Sequence, residues 1–314
     1  MTRELDPVSL DPSQWEAARA VNHPLLVAAG AGTGKTSTVV GRILYLLGVP
    51  LQGQRIAVPI TLDRIAAITF TNAAAADLRK KIREALRKAG RHAEAFQVDT
   101  ARIGTIHGFA RDLLQEFALR AGRSPGMAVL EEAESRQITG EVVRDALIDG
   151  LTESPIDGLP ELMAEYGVER VVNWVVRLLA EADRLPRRRA GGIGEREAVL
   201  LALAERALEA VNRRLDDAGA TDFDRMLLWA RDLLRRPEVC RVLQRRIHTL
   251  IVDEFQDVDP VQRELAYLLG DPQSRRPDTT RLMLVGDPKQ SIYRFRQADV
   301  TVWTGVQRDF AEQG

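Results

Sequence analysis

A glycine-rich stretch near the start of the chain carries the residue types that a phosphate-binding turn requires. It reads VAAGAGTGKT and spans residues 27–36. Its glycines permit a path in which backbone N–H groups point inward, Lys35 can reach the outer phosphates of a nucleotide, and the Thr36 hydroxyl can ligate Mg²⁺. We therefore predict a cradle for a triphosphate and its metal ion, formed by Ala29, Gly30, Ala31, Gly32, Thr33, Gly34, Lys35, Thr36 and Ser37.

This stretch departs at one place from the pattern G-x-x-x-x-G-K-[ST], because Ala29 occupies the position of the first glycine. Alanine is tolerated there if its φ stays negative. The surrounding sequence favours the phosphate interpretation, since Leu25–Ala29 predicts a buried strand before the turn and Ser37–Leu47 a helix after it. The dipole at the start of that helix favours an anion. The alternative interpretation is a glycine-rich turn that binds nothing.

Two acids follow an apolar run in the second half of the chain, where residues 249–254 read TLIVDE. The run predicts a buried strand, and ligands of open α/β sheets bind beyond the carboxyl ends of such strands. Asp253 would hold Mg²⁺, directly or through water, and Glu254 would orient and deprotonate an attacking water. Taken alone, the acids are explained as well by helix capping. A phosphate-binding turn on a neighbouring strand would make the nucleotide interpretation the stronger one.

A third predicted strand ends in LVGDPKQ, residues 284–290. Gln290 would hydrogen-bond the γ-phosphate or the attacking water, and a solvated loop amide is the alternative. The next residues, SIYRFR at 291–296, alternate two aromatics with two arginines. This mixture suits single-stranded nucleic acid, because stacking contributes ~1–3 kcal/mol per base and arginine adds phosphate contacts. In isolation, Tyr293 and Phe295 are equally typical of core residues on a strand.

The elements that must position these side chains alternate between strands and helices at both ends of the chain. This alternation predicts an α/β fold in which a parallel sheet is covered by helices. Between residues 121 and 220 we find helical periodicity alone, which predicts an all-helical insertion with a loop at 186–194. The predicted strands are Leu25–Ala29, Ile65–Phe70, Ile103–Thr105, Thr249–Asp253 and Leu282–Val285, and the further predicted helices are Ala74–Ala89, Gly108–Leu119, Ala133–Gly150, Glu161–Ala182 and Glu195–Leu215.

The composition is that of an ordinary globular protein of 314 residues, with 45% hydrophobic residues and a formal net charge of −1. Any nucleic-acid binding must therefore come from local patches. The single cysteine, Cys240, excludes an intramolecular disulfide and is more typical of a small core residue than of a nucleophile. The N-terminus, MTRELDPVSL, lacks the apolar segment of a signal peptide, and no run approaches the ~18 apolar residues of a membrane span. We therefore expect a cytoplasmic location.

Six motifs, taken in order, resemble those of UvrD/Rep-type superfamily 1 DNA helicases. The combination of VDEFQD with GDPKQSIYRFR is highly specific, and the resemblance covers nearly the whole chain outside the helical insertion. The sequences TFTNAAAADLR and GDPKQSIYRFR resemble the branch of RecB and AddA helicase–nuclease subunits more closely than UvrD itself. The six motifs occupy residues 29–36, 69–75, 104–107, 222–224, 252–257 and 285–296.

This resemblance implies a RecA-like fold of the P-loop NTPase class, with residues 1–120 and 221–314 as the ATP-binding domain and 121–220 as the helical insertion domain. It implies a DNA helicase or translocase that moves 3′ to 5′, uses ATP and Mg²⁺, and binds single- and double-stranded DNA in repair or recombination. A helicase–nuclease partner subunit is an expectation of the RecB and AddA branch. The competing hypothesis is a truncated, nucleotide-dependent DNA-binding module without helicase activity of its own, whereas a small-molecule kinase is disfavoured.

Several residue roles are implied by the resemblance alone. Gln14 matches the glutamine that reads the adenine edge of ATP, although its spacing alone suggests a helix surface. His107 matches a histidine that tracks the DNA strand, and a capping histidine is the alternative. Gln256 and Asp257 match coupling residues, and residues 222–224 match a motif that a charged helix start also explains. The implied DNA contacts are Phe70, Thr71, Asn72, His107, Tyr293, Phe295 and Arg296.

Two differences from the family are visible. Ala73 stands where some branches have lysine, and Gln297 stands where glycine follows the last arginine, so local DNA contacts are expected to differ. In this family a second RecA-like domain supplies arginines that reach the γ-phosphate, and the sequence ends at Gly314, about where that domain would begin. Because an arginine finger contributes ~10³–10⁵ in rate, we expect these 314 residues alone to bind ATP with Mg²⁺ but to hydrolyse it slowly.

Overall fold

The computed structural model describes residues 6–30, 32–182, 194–273, 279–290 and 300–311. The chain divides into two compact units, one formed by Met1–Glu116 with Leu227–Gly314 and the other by Phe117–Met226. These borders lie a few residues from the expected ones at 120 and 220, and the functional division into two domains stays a prediction. Most of the predicted loop at 186–194 lies outside the described residues.

The described residues form seven strands, five in the sheet of the first unit and two in that of the second. They are β1 (Leu25–Ala28), β2 (Ile65–Thr69), β3 (Arg102–Thr105), β4 (Ala128–Val129), β5 (Ala220–Thr221), β6 (Thr249–Val252) and β7 (Arg281–Gly286). The first unit holds a five-stranded sheet of order β1-β7-β6-β2-β3, in which every neighbouring pair is parallel. The strands β2 and β6 are buried at every residue, as expected when helices cover both faces. The predicted α/β fold, a parallel sheet covered by helices, is thereby confirmed.

The strand order corrects one expectation. We expected the glycine-rich turn and the acidic pair to follow neighbouring strands, and this is wrong because β7 lies between β1 and β6. Ala28 at the end of β1 lies opposite Gly286 of β7, and Val252 at the end of β6 lies opposite Leu284 of β7. Since the strands are parallel, the segments after all five strands still leave the sheet at the same edge.

The helices are α1 (Pro12–Arg19), α2 (Lys35–Leu46), α3 (Asn72–Lys88), α4 (His92–Gln97), α5 (Ile106–Glu116), α6 (Ala118–Ala121), α7 (Glu132–Leu151), α8 (Leu159–Tyr166), α9 (Val168–Ala182), α10 (Glu195–Asp217), α11 (Phe223–Leu234), α12 (Pro237–Arg246), α13 (Pro260–Leu269) and α14 (Val300–Ala311). The helices α2, α3, α5 and α7 start one or two residues earlier than predicted, and at α2 and α3 the cap residue explains the difference. Thr71 accepts a hydrogen bond from the Ala74 N–H at the start of α3, and the left-handed Gly34 precedes α2. No helix within the described ranges is long and apolar enough to cross a membrane.

The core of the first unit joins the helices behind the glycine-rich turn to the strands of the sheet. Each buried leucine or isoleucine contributes about 1.5–3 kcal/mol relative to an exposed one. This packing holds α2 and α3 against the strands β6 and β7 that lead to the acids and to Gln290. The residues of this contact include Val39, Ile43, Leu78, Ile82, Ile251, Met283 and Val285.

The second unit is built mainly from α7, α8, α9 and α10. Its core includes Val143, Leu159, Val171 and Leu203. The single helix predicted over 161–182 is two helices, because Gly167 adopts φ +78° and ends α8. The unit also contains a pair of two-residue strands, β4 and β5, where we expected helices alone. Strands of two residues are too short to produce a periodic pattern in the sequence.

Candidate functional site

The glycine-rich turn connects β1 to α2 and is described except for Ala31. Gly32 and Gly34 adopt φ of +73° and +82°, a region that glycine enters without steric cost. Among the described residues other than glycine, positive φ occurs only at Gln52 and Glu254. Ala29 therefore meets the condition under which alanine replaces the first glycine of the pattern. Its N–H donates to the Gly286 carbonyl of β7 at 2.9 Å, which anchors the start of the turn.

Lys35, Thr36 and Ser37 form the first turn of α2 and are half-buried. The N-cap residue Gly34 has no side chain that could cap the helix, so it leaves the first backbone N–H groups of α2 without a side-chain acceptor of its own. The helix dipole adds a partial positive charge there. The first turn of α2 is therefore suited to an anion such as a phosphate.

The ammonium of Lys35 crosses to the acidic pair, and its Nζ lies 2.8 Å from Oε2 of Glu254. The side chains of the two residues are 10% and 34% exposed, so this ion pair lies partly out of solvent. The contact joins the segment after β1 to the segment after β6, over the end of the intervening strand β7. The structure thus brings together two of the residues that the sequence predicted to share one nucleotide.

Asp253 follows β6 and is buried. Its N–H donates to the Ile68 carbonyl at 2.8 Å, and its Oδ1 accepts the Glu254 N–H at 2.9 Å. Burial, and secondly the charge of Glu254, raise the pKa of Asp253 to about 6. A buried carboxyl group whose ionised form is disfavoured gains from a nearby cation. Glu254 itself adopts φ +54°, a left-handed conformation that is uncommon outside glycine.

Gln256 links the acidic pair to the segment after β7. Its Nε2 donates to Oε2 of Glu254 at 2.8 Å, and its Oε1 accepts the Asp287 N–H at 2.9 Å. A Cβ on Gly286 would lie 2.7 Å from Oε1 of Gln256 and 2.7 Å from the ring of Trp303, so a larger residue there would displace these side chains. Asp257 is half-buried, and burial followed by the charge of Glu254 raises its pKa. The sequence contained no signal for this bridge other than the resemblance.

Gln290 ends a short 3₁₀ turn, Pro288–Gln290, that directly follows β7. Its N–H donates to the Asp287 carbonyl at 3.0 Å, which closes the turn. Since β7 lies between β1 and β6, this turn leaves the sheet between the phosphate-binding turn and the acids. The predicted residues Tyr293, Phe295 and Arg296 lie outside the described residues, as does Ala31.

Gln14 lies in the first turn of α1, and its side chain reaches the glycine-rich turn. Its Nε2 donates to the Thr33 carbonyl at 2.7 Å, and its Oε1 accepts the Asp11 N–H at 3.0 Å. The second bond completes a capping box with Asp11. Spacing alone suggested a residue on the helix surface, and that interpretation does not account for the hydrogen bond to Thr33. The structure therefore places Gln14 beside the glycine-rich turn, and its role at the adenine edge stays a prediction.

Four of the residues predicted to contact DNA, Phe70, Thr71, Asn72 and His107, follow β2 and β3, which are neighbours in the sheet. Phe70 and Thr71 lie between β2 and α3, Thr71 caps that helix, and Asn72 is its first residue. His107 is the second residue of α5 and is half-buried. These residues lie at the same edge of the sheet as the candidate nucleotide-binding residues. They follow β2 and β3, whereas the nucleotide candidates follow β1, β7 and β6. Their roles toward DNA stay predictions.

Two further expectations concern residues away from this edge. The Oδ1 of Asp222 accepts the Arg225 N–H at 2.8 Å, which is the helix-start role that competed with the motif interpretation. Cys240 donates its thiol to the Leu268 carbonyl, and burial raises its pKa, so the thiolate that a nucleophile requires is disfavoured.

The donor set fits a magnesium ion that is shared with phosphate oxygens. In the described part of the chain, no group of three or more His, Cys, Asp or Glu side chains could hold a metal by itself. Mg²⁺ is commonly bound by one or two carboxylates together with substrate phosphates. The buried Asp253 carboxyl with its raised pKa and the Thr36 hydroxyl at the first turn of α2 are ligands of this kind.

A family model described as the UvrD/REP helicase N-terminal domain matches residues 10–311. The chain is 28% identical over 305 residues to the ATP-dependent DNA helicase UvrD1 of Mycobacterium tuberculosis, covering 96% of this chain and 36% of that protein. It is 29% identical over 293 residues to DNA helicase II of Escherichia coli, covering 93% and 35%. It is 30% identical over 295 residues to the ATP-dependent DNA helicase Rep of Escherichia coli, covering 92% and 37%. The chain thus spans a little over a third of the length of these relatives.

Proposed function

The chain belongs to the UvrD/REP helicase family, whose N-terminal domain it matches over residues 10–311, and from this we propose that it is the amino-terminal motor part of an ATP-dependent DNA helicase or translocase. It binds ATP with Mg²⁺ at the edge of the sheet where β1, β6 and β7 end. It contacts single-stranded DNA beyond the ends of β2 and β3. Movement from 3′ to 5′, a role in repair or recombination, a helicase–nuclease partner and the RecB- and AddA-like branch are further proposals that come from the resemblance.

One observation carries the proposal, namely the 2.8 Å contact between Nζ of Lys35 and Oε2 of Glu254. The two residues are 219 positions apart, yet their side chains meet beside the glycine-rich turn. A cation at the start of α2 and a carboxylate beyond β6 are the groups that hold a triphosphate and polarise water. Had the turn and the acids lain on different faces of the unit, no single nucleotide could have used both.

The proposed chemistry assigns separate tasks to the residues of the site. Thr36 and Asp253 would hold Mg²⁺, which would neutralise charge on the phosphate oxygens. When the nucleotide binds, the Lys35 ammonium breaks its ion pair with Glu254 and contacts the outer phosphates instead. The carboxylate and the phosphates are both anions, and they compete for this one ammonium. Glu254, kept in place by Gln256, then orients a water molecule and accepts its proton. Gln290 is proposed to contact the γ-phosphate or that water from the turn after β7.

A Lys35→Ala variant tests this proposal. Charge-assisted hydrogen bonds contribute about 1.5–3 kcal/mol, so we expect the affinity for ATP with Mg²⁺ to fall about 10- to 100-fold. Titration calorimetry on the 314-residue chain measures the change. Lys88→Ala is the matched control, because Lys88 is exposed in the last turn of α3. Full ATP affinity in Lys35→Ala would contradict the proposed nucleotide site.

Steady-state ATP hydrolysis separates the motor from its alternative, a nucleotide-dependent DNA-binding module without helicase activity of its own. The assay compares this chain with a version extended beyond Gly314, each with and without single-stranded DNA. The motor proposal expects hydrolysis that DNA stimulates in the extended version. Binding of ATP and DNA without stimulated turnover in either version would favour the module instead.

A further inference from the structure

Arg42 is a buried cation on α2 with no carboxylate partner among the described residues. Its exposure is 0%, and it is the largest fully buried side chain in the part of the chain that the structure describes. Nη1 donates to the carbonyls of Ala17 at 3.0 Å and Ala20 at 2.8 Å, whereas Nε and Nη2 make no hydrogen bond within the described residues. Burial lowers the pKa of Arg42 to about 10, so the guanidinium remains charged near pH 7.

The two carbonyls that Arg42 contacts belong to the end of α1. The last carbonyls of a helix have no partner within the helix and carry the negative end of its dipole, so a cation is favoured there. With eight residues, α1 is too short to be stable by itself, and its position depends on its contacts with α2. Trp15 provides a second such contact, meeting the ring of Tyr45 edge-on at 5.3 Å between centroids.

The opposite end of α1 carries Gln14, which lies against the glycine-rich turn. A Cβ on Gly34 would approach Nε2 of Gln14 to 2.3 Å, which shows how closely this amide lies against the turn. A glutamine side chain offers two N–H donors and two acceptor lone pairs. One donor contacts the Thr33 carbonyl and one lone pair receives the Asp11 N–H, so one donor and one acceptor position remain.

That remaining pair matches adenine better than guanine. Adenine presents an acceptor, N7, beside the donor N6–H₂, whereas guanine presents two acceptors, N7 and O6. A carboxamide discriminates between the two bases only if it is held in one position, since a mobile amide can adjust to either edge. Discrimination by Gln14 therefore requires that α1 be fixed.

We propose that Arg42 is a positioning residue for recognition of the nucleotide base, acting through α1 on Gln14. This inference rests on the proposed function, because it assigns base selectivity to the same ATP site. Arg42 fixes the C-terminal end of α1, and the contact of Trp15 with the ring of Tyr45 fixes the middle of this helix. Together these contacts hold Gln14 at the glycine-rich turn.

The test measures the ratio of the dissociation constants for GTP and ATP, both with Mg²⁺, in an Arg42→Met variant. Methionine is apolar and flexible, and apolar replacement of a buried charge is often tolerated. A bidentate amide contact discriminates between bases, so we expect the ratio to fall about tenfold, to that of Gln14→Ala. The double variant should show no further fall. Arg87→Met, on the exposed face of α3, should retain the wild-type ratio.

Each outcome of this experiment bears on one claim. A folded Arg42→Met variant that keeps the wild-type ratio, or a wild type that binds ATP and GTP equally, would overturn the inference. Should Arg42→Met fail to fold, Arg42→Lys decides, because lysine keeps the charge on a shorter side chain and lacks Nη1, the single atom that donates to both carbonyls. An unchanged ratio in Arg42→Lys would then overturn the inference, and a reduced ratio would support it. If the wild type binds no nucleotide at all, the proposed function fails, independently of Arg42.

Discussion

The side chain of Gln256 and the backbone of Asp287 connect the ends of two neighbouring strands, β6 and β7. Oε1 of Gln256 accepts the Asp287 N–H at 2.9 Å, while Nε2 of the same amide donates to Glu254. One amide thus contacts the proposed base and the start of the turn that ends in Gln290. A displacement of one strand end should therefore displace the other or break a hydrogen bond, because the amide cannot contact both Glu254 and Asp287 if they move apart.

We expect Gln256→Ala to lower the free energy of unfolding by about 1–3 kcal/mol, since it leaves the buried Asp287 N–H without its acceptor. Urea denaturation measures this change, and Gln97→Ala, exposed at the end of α4, is the control. In the version extended beyond Gly314, we further expect the variant to bind ATP but to lose stimulation of hydrolysis by DNA, because Gln256 no longer holds Glu254. Unchanged stability and stimulation would show that the amide bridge is dispensable.

Gly34 and Gly53 form a matched pair for testing the contact of Gln14. Both adopt left-handed φ, +82° and +73°, but a Cβ on Gly53 would meet nothing within 4 Å, whereas one on Gly34 would meet Gln14. We expect Gly53→Ala to cost about 1–2 kcal/mol from backbone strain alone. Gly34→Ala should cost more and should also weaken ATP binding. Equal unfolding free energies and equal ATP affinities in the two variants would contradict a tight contact at Gly34.

The pKa of Asp253 predicts an unusual dependence of stability on pH. Burial and the neighbouring Glu254 raise it from 3.8 to about 6, so between these values the native state holds a proton that the unfolded state releases. The free energy of unfolding therefore decreases as pH rises through this range. We expect Asp253→Asn to be more stable than wild type at pH 7.5, by up to about 3 kcal/mol, and nearly equal at pH 4.

Urea denaturation between pH 4 and pH 7.5 measures this difference, with Asp77→Asn as the control because Asp77 pairs with Lys81 on the surface of α3. A loss of stability in Asp253→Asn at pH 7.5 would show that a partner already stabilises the carboxylate. Thermal unfolding with ATP and Mg²⁺ adds a second measurement. A ligand that binds the native state stabilises it, and this gain should be smaller in Asp253→Asn.

The proposed DNA contact at Phe70 has a control on the same unit. Stacking of a base on an aromatic ring contributes ~1–3 kcal/mol, so Phe70→Ala should weaken binding of single-stranded DNA about 5- to 100-fold. Phe96, 77% exposed on α4, has no proposed role, and Phe96→Ala should bind DNA as the wild type does. Fluorescence anisotropy with an oligothymidine probe measures both affinities. Equal losses of DNA affinity in the two variants would contradict a specific role of Phe70.

The amino-acid sequence by itself determined the local elements of the site. The apolar runs at 25–28 and 249–252, the glycines around Lys35 and the acids at 253 and 254 specify strand, turn and helix through short-range burial and backbone preference. The parallel α/β fold followed from the alternation of these elements. Each of these inferences uses residues that lie close together in the chain.

Only the tertiary structure decided which distant elements meet. Periodicity reports that a strand is buried but not which strand it pairs with, so β7 between β1 and β6 was not predicted. The contact of Lys35 with Glu254 and the buried Arg42 beneath α1 depend on packing between segments that are far apart in sequence. Such contacts result from the crossover connections and the core as a whole, and no local pattern of residues encodes them.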